Sequence, residues 1–187
     1  GNLGSEEEAY FGENFSIAAA AKRRGGLVIA QVKRLAAARS LPGKQVKVPG
    51  ALVDLVVQDP EQLQTYQVPY SPAYAGEVRA PAVAIPRLPF DMRKVIARRA
   101  AQELAPGDVV NLGFGVSNGI APVAAEEAIA ESITLTVEQG LIGGVPAVGK
   151  DAGAGVNYDA MVDQPNQFDF YDGGGLDAAF LSFAEVD

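Results

Sequence analysis

Between Asp108 and Val137 the sequence runs DVVNLG, FGVSNG, IAPVAAEEAIAE and SITLTV without interruption. This succession constrains the fold more than any other stretch. A short apolar run leads into a glycine-bearing turn, an alanine-rich helical run and a second β-branched run. Parallel strands cannot be joined by a tight turn and need a crossover, usually a helix. The stretch therefore predicts a βαβ unit with parallel strands and a right-handed crossover. Pro122 fits that helix only near its first turn, where a missing N–H costs little.

The flanking sequence continues the α/β rhythm. Met92 to Leu104 reads as a helix that groups Val95, Ile96, Arg99 and Ala100 on one face and stops at Pro106 and Gly107. Nearer the start, Phe15 to Arg24 reads as a helix closed by Gly25 and Gly26. LVIAQVKRL, alternating about Val28, Ala30 and Val32, reads as a buried strand. VKVPG and ALVDLVVQD follow as two short apolar pieces parted by a turn at Pro49 and Gly50. Residues 59 to 90 hold half of the 12 prolines and lack periodicity, so they read as a linker between two folded parts.

Composition narrows the chemistry. In 187 residues, 48% of them hydrophobic, there is room for one domain or parts of two. The start at Gly1 and the stop after FLSFAEVD read as the bounds of a segment of something longer. A net charge of -8 without a basic run argues against nucleic acid, and AKRR at Ala21 to Arg24 reads as a solvated helix end. No apolar run approaches the ~20 residues of a membrane span, so the expectation is a soluble, cytoplasmic protein. With no Cys and no His, thiolate nucleophiles, imidazole bases and the usual zinc sites are excluded. Carboxylates, hydroxyls, Lys or backbone amides must carry any reaction.

Three motifs stand where such groups would be useful. In NLGFGVSNG, Gly113, Gly115 and Gly119 meet a helix start, but the third glycine falls one residue late for G-x-G-x-x-G. The turn either lets backbone N–H groups approach an anionic group or is simply tight. In TVEQGLIGGVP, Glu138 ends a strand whose period of two sets Ile133, Leu135 and Val137 against Thr134, Thr136 and Glu138. Ligands of open α/β sheets bind beyond the carboxyl ends of strands, and Gly140, Gly143 and Gly144 keep side chains away from this one. In QFDFYDGGGLD, Phe168 and Phe170 alternate with Asp169 as on a strand, and Gly173 to Gly175 form another turn. Asp169, Asp172 and Asp177 then cannot converge on one metal ion and read as solvated or capping residues.

Taken together, GNLGSEEEA, GLVIAQVKRLA, VKVPGALVDLVV, RKVIARRAAQELAPGDVVNLGFGV, ITLTVEQGLIGGVPA and QFDFYDGGGLDAAFL resemble the family I CoA-transferases, specifically the acetate or propionate type. The resemblance implies two related open α/β halves, both incomplete in this segment. Residues 1–58 correspond to the C-terminal part of the first half, 59–91 to a Pro-rich linker and 92–187 to the N-terminal part of the second. It also implies a catalytic glutamate in an E-x-G motif, which falls on Glu138, Gln139 and Gly140. The chain departs from the family's usual NLGIGIP at Phe114, Val116 and Ser117.

The implied reaction is reversible CoA transfer between a short-chain acyl-CoA, such as acetyl-CoA or propionyl-CoA, and a free carboxylate, through a glutamyl-CoA thioester. Free glutamate titrates near ~4.3, so such a nucleophile needs no histidine. Gly140, Gly143 and Gly144 would admit the acyl group and the CoA thiol, with Gly113 and Gly115 lining the same pocket. Coenzyme A enters as substrate; no permanently bound cofactor, metal, nucleic acid or membrane is implied, and the complete protein would be a homo-oligomer. Two other classes compete with this reading: a nucleotide- or sugar-phosphate-binding α/β domain without covalent catalysis, and an inactive fragment.

Overall fold

The computed structural model describes residues 1–81 and 84–185. Strand β1 (Leu3–Gly4) is followed by α1 (Asn14–Arg23), β2 (Ile29–Val32), β3 (Val46–Val48) and β4 (Leu55–Gln58). β1 pairs antiparallel with β3, and β2 pairs parallel with β4 from Ile29↔Leu55 to Val32↔Gln58. Helix α1 ends where Gly25 takes φ +74°, a conformation that side chains disfavour. The strand expected in LVIAQVKRL is present as β2, but the burial expected of it is not, and the apolar piece ALVDLVVQD supplies β4. In β2 only Ala30 is buried, Ile29 is 60% exposed, and every residue of β4 is exposed. Alternation identified strands here but not whether anything covers them.

The second part holds α2 (Met92–Ala101), β5 (Val109–Leu112), α3 (Ile120–Glu126) and β6 (Thr134–Val137). After them come β7 (Leu141–Ile142), β8 (Val145–Pro146), β9 (Gly155–Val156), β10 (Ala160–Met161), α4 (Gln164–Asp172) and β11 (Ala178–Phe180). The sheet order is β10-β7-β6-β5-β11. β5, β6 and β11 run parallel, β7 pairs antiparallel with β6, and β10 pairs antiparallel with β7. The expected strand–helix–strand unit is β5-α3-β6, in register from Val109↔Thr134 to Asn111↔Thr136.

Period two divides the central strands between two faces. Val110, Leu112 and Leu135 pack with Ala97 and Ala101 of α2 and with Ile120, Ala121 and Val123 of α3. Asn111 and Thr136 face the other way and are also buried. Parallel strands are normally covered on both faces, and here α4 contributes to the second cover through Tyr171.

Two helices correct the sequence reading. α2 buries Ala97 and Ala101, whereas Val95, Ile96 and Arg99 are exposed and Ala100 is only partly buried. Its small residues allow close approach: a Cβ on Gly119 would lie 3.2 Å from that of Ala97. The run holding Phe168 and Phe170 is helix α4, not a strand, with Asp163 at its N-cap position and Pro165 in its first turn. Gln167 and Tyr171, one turn apart, face inward, and both phenylalanines are exposed.

Residues 59–81 and 84–91 contain no α-helix or β-strand. Specific bonds fasten them to both flanks. Gln64 donates to the Glu7 carbonyl (2.5 Å) and Thr65 to Asp151 (2.7 Å). Ala80 and Asn157 exchange two bonds of 2.8 and 2.9 Å. Among the described residues, no helix is long and apolar enough to cross a membrane.

Candidate active site

Glu138 opens the three-residue loop that joins β6 to β7, with Val137 paired to Leu141 on either side. Gly140 closes the loop by donating to the Val137 carbonyl at 2.9 Å. Three-residue hairpin loops commonly end on a residue with positive φ, and Gly140 has φ +116°. Its carbonyl also accepts from Val162 N at 2.8 Å, and a Cβ on Gly140 would overlap the Val162 carbonyl oxygen. The spacing E-x-G thus has a local cause: glycine is required two residues after the glutamate for the loop to close under the neighbouring chain.

The Glu138 side chain is partly exposed and makes no hydrogen bond or ion pair among the described residues. It borders a cavity of about 10 Å³, room for about one water-sized group. Leu112, Val137, Pro146, Ala147 and Gly153 line the cavity, together with Phe114 and Asn118 from the turn after β5. That turn is held rigidly. Ser117 Oγ donates to the Gly113 carbonyl (2.6 Å), while Ser182 Oγ lies 2.9 Å from Ser117 Oγ and accepts from Ser117 N (3.1 Å).

Behind the loop lies a buried polar chain centred on the Tyr171 hydroxyl. It accepts from Asn111 Nδ2 (3.2 Å) and Gln167 Nε2 (2.9 Å) and donates to Thr136 Oγ1 (2.8 Å). Thr136 in turn donates to the Val110 carbonyl at 3.1 Å. Both acceptor positions and the single proton of the phenol are used. α4 is thereby bonded to the carboxyl ends of β5 and β6, two residues before Glu138.

The glycines expected to open space beside Glu138 do something else. Gly143 and Gly144 take φ +82° and +72°, and side chains there would overlap Asp159 and the Val156–Tyr158 backbone. The space over Gly140, Gly143 and Gly144 is therefore filled by residues 156–162, and none of the three borders the cavity. Gly113 and Gly115 face Leu181 and Ser182 instead, within 3.2 and 3.1 Å of where a Cβ would stand. What the structure does bring to Glu138 is the intervening Phe114 and nearby Asn118. Asn118, Thr136, Tyr171 and Ser182 were not singled out as site residues in the sequence. Thr136 carried a signal in sharing a strand face with Glu138, but the others depend on tertiary contacts.

Asp177 accepts from Val109 N at 2.9 Å, a structural bond at the start of β5. Among the described residues no three Asp or Glu side chains gather as a metal site.

No family model matches the chain. Individual relatives do. A caffeate CoA-transferase of Acetobacterium woodii is 46% identical over 190 aligned residues, covering 100% of this chain and 36% of the relative. The acetate CoA-transferase YdiF of Escherichia coli K12 is 44% identical over 183, covering 97% and 34%. The crystal structure of the acyl-CoA transferase YdiF from E. coli O157:H7, in a thioester complex with CoA, superposes with TM-score 0.86 at 41% identity. That superposition covers 100% of this chain and 36% of the other. The chain is homologous to part of a CoA-transferase. It spans about a third of the length of the curated CoA-transferases it matches, and its mixed α/β fold is the one found in that part of YdiF.

Proposed function

We propose that the chain supplies the nucleophile of a CoA-transferase that exchanges CoA between a short-chain acyl-CoA and a free carboxylate. The observation that carries this reading is the alignment of the chain along its whole length with CoA-transferases; in keeping with it, the E-x-G glutamate has no hydrogen-bond or ion-pair partner among the described residues and borders a cavity beyond the sheet's carboxyl ends.

The Glu138 carboxylate attacks the thioester carbonyl of acyl-CoA, forming an acyl-glutamyl anhydride and releasing CoA thiolate. The thiolate then attacks the glutamyl carbonyl, forming the glutamyl-CoA thioester and freeing the first carboxylate. A second carboxylate reverses both steps and leaves as the new acyl-CoA. One thioester replaces another, so neither ATP nor a metal is required. Water must be kept from the intermediate, and the apolar side chains of Leu112, Phe114, Val137 and Pro146 beside Glu138 suit that need. Gly140, Gly143 and Gly144 serve by shaping the loop around Glu138 rather than by vacating space.

The same reading divides the chain into residues 1–58 as the end of one α/β half, 59–91 as a connecting strap and 92–187 as the start of the second. The substrates proposed are acetyl-CoA or propionyl-CoA with short-chain carboxylates, in a cytoplasmic homo-oligomer. In a full-length CoA-transferase carrying these residues, transfer from acetyl-CoA to labelled propionate should show ping-pong kinetics. Glu138→Gln should abolish it with the fold intact, and Glu138→Asp should impair it severely because the attack distance changes. Undiminished exchange in Glu138→Gln would refute the assignment.

A further inference from the structure

One wall of the Glu138 cavity comes from Pro146, Ala147 and Gly153, and the first part of the chain holds that wall from outside. Gly153 is buried and takes φ +108°. A Cβ there would stand 3.2 Å from the Tyr10 ring and 3.5 Å from the amide carbon of Gln139, the residue after the nucleophile. The bend is thus clasped between the nucleophile loop and Tyr10. Two residues earlier, both carboxylate oxygens of Asp151 accept bonds from the strap: Oδ1 from Thr65 Oγ1 (2.7 Å) and Oδ2 from Gln67 Nε2 (2.9 Å). The Asp151 carbonyl accepts from Ala154 N (3.0 Å), which carries the anchorage across Gly153. The donors are themselves fixed. Thr65 Oγ1 accepts from Val68 N (3.1 Å), and Gln64 accepts from Ser71 N (2.7 Å) while donating to the Ser71 and Glu7 carbonyls. Residues 64–71 therefore form a loop closed by its own side chains, a stiff support for the two bonds to Asp151.

Resting on the reading of Glu138 as nucleophile, we propose that Asp151 is a positioning residue: by tying the bend at Gly153 to Thr65 and Gln67 of the strap, it keeps water from the glutamyl-CoA thioester. That thioester waits on the enzyme between the departure of one carboxylate and the arrival of the next. Water attacking the glutamyl carbonyl would form a C–O bond and break the S–C bond, with the electron pair leaving on the CoA sulfur. One water proton goes to the thiol and the other to solvent as Glu138 ionises again. Each such event discards a thioester without making a new one. A bend free to move would open the apolar wall to water, whereas a bend bonded at Asp151 and packed between Gln139 and Tyr10 holds it closed. Because the strap and Tyr10 lie outside the part that carries Glu138, protection of the intermediate requires both parts to be docked.

The test is made on a full-length CoA-transferase carrying these residues. The CoA adduct is formed with acetyl-CoA, acetate and excess acetyl-CoA are removed, and decay of the adduct to free CoA is followed without a carboxylate acceptor. Asp151→Ala removes the acceptor, and Thr65→Val removes one donor while keeping its shape. Both should shorten the lifetime of the adduct at least about tenfold, with its rate of formation changed by no more than about threefold. Thr65→Ser keeps the hydroxyl and should hold the lifetime within about twofold of the parent. A parental lifetime in Thr65→Val overturns the proposal, even where Asp151→Ala fails to fold. A loss confined to the rate of formation, or a shortened lifetime that Thr65→Ser shares, overturns it as well. All three outcomes leave Glu138 standing, whereas peptide mapping that finds the adduct elsewhere in the unsubstituted enzyme removes the reading on which the proposal rests.

Discussion

The Tyr171 hydroxyl uses its whole bonding capacity on Asn111, Gln167 and Thr136, of which Thr136 and Gln167 are at most 1% exposed. Removing that one oxygen leaves buried donors and an acceptor without their partner, while the ring still fills its volume. Tyr171→Phe should therefore lower stability by about 1–3 kcal/mol in urea unfolding. An unchanged midpoint would show that the network is dispensable. Lys94 and Glu126 form a second clamp, at 2.7 Å with side chains 13% and 17% exposed, and Lys94 also donates to the Leu88 carbonyl. The hydrogen bond from Lys94 holds the Glu126 carboxyl below its ordinary pKa. A carboxylate whose pKa is depressed by folding stabilises above its unfolded pKa of ~4.3, and the benefit is lost as pH falls through the folded value. Glu126→Gln should lower the melting temperature at pH 7, and the difference from the parent should close in acid below about pH 4. A difference that is constant with pH would assign the effect to packing.

Among elements, the β6–β7 hairpin shows why a three-letter motif is readable from sequence while its surroundings are not. Glu138 at a strand end and glycine two residues later follow from strand alternation and loop closure, both local rules. That residues 156–162 fold back over Gly140, Gly143 and Gly144 depends on β10 pairing with β7, a contact between segments far apart in sequence. Gly140→Ala should destabilise by more than about 2 kcal/mol, since it adds both a disfavoured φ and an overlap with the Val162 carbonyl. Gly174→Ala is the control, with φ +86° and open space around it, and should cost only about 1–2 kcal/mol. Equal losses would show that the overlap relaxes without cost. Helix α4 was misread because Phe168 and Phe170 alternate like strand residues, whereas the positions that turn inward are Gln167 and Tyr171. Polar inward positions leave no trace in a hydrophobic pattern. Helix α2 misled in the opposite way, burying alanines while its larger apolar residues stay exposed.

At the scale of the molecule, the two parts differ in how well their sheets are covered. β5 and β6 are enclosed by α2 and α3 on one face and by α4 on the other. β2 and β4 form a parallel ribbon with Ile29, Leu55 and Val57 more than half exposed, beside a cleft of about 470 Å³. That cleft shares no lining residue with the cavity at Glu138. The strap of residues 59–81 and 84–91 bonds to both parts, so a proline-rich composition here marks irregular backbone with fixed contacts. The sequence made the parallel unit and the position of Glu138 legible through periodicity, and the similarity to CoA-transferases through its motifs. It did not disclose the small cavity beside Glu138 or the Tyr171 network, because both are assembled from side chains that meet only after folding.

The claim on which the account turns is that Glu138 becomes covalently joined to coenzyme A. Acetyl-CoA should be incubated with a full-length CoA-transferase carrying these residues, without a carboxylate acceptor, and the digested protein searched for CoA-modified peptides. The account predicts a CoA thioester on the peptide containing Glu138, discharged when propionate is added. A CoA adduct at any other residue, or turnover with no adduct at all, would contradict it.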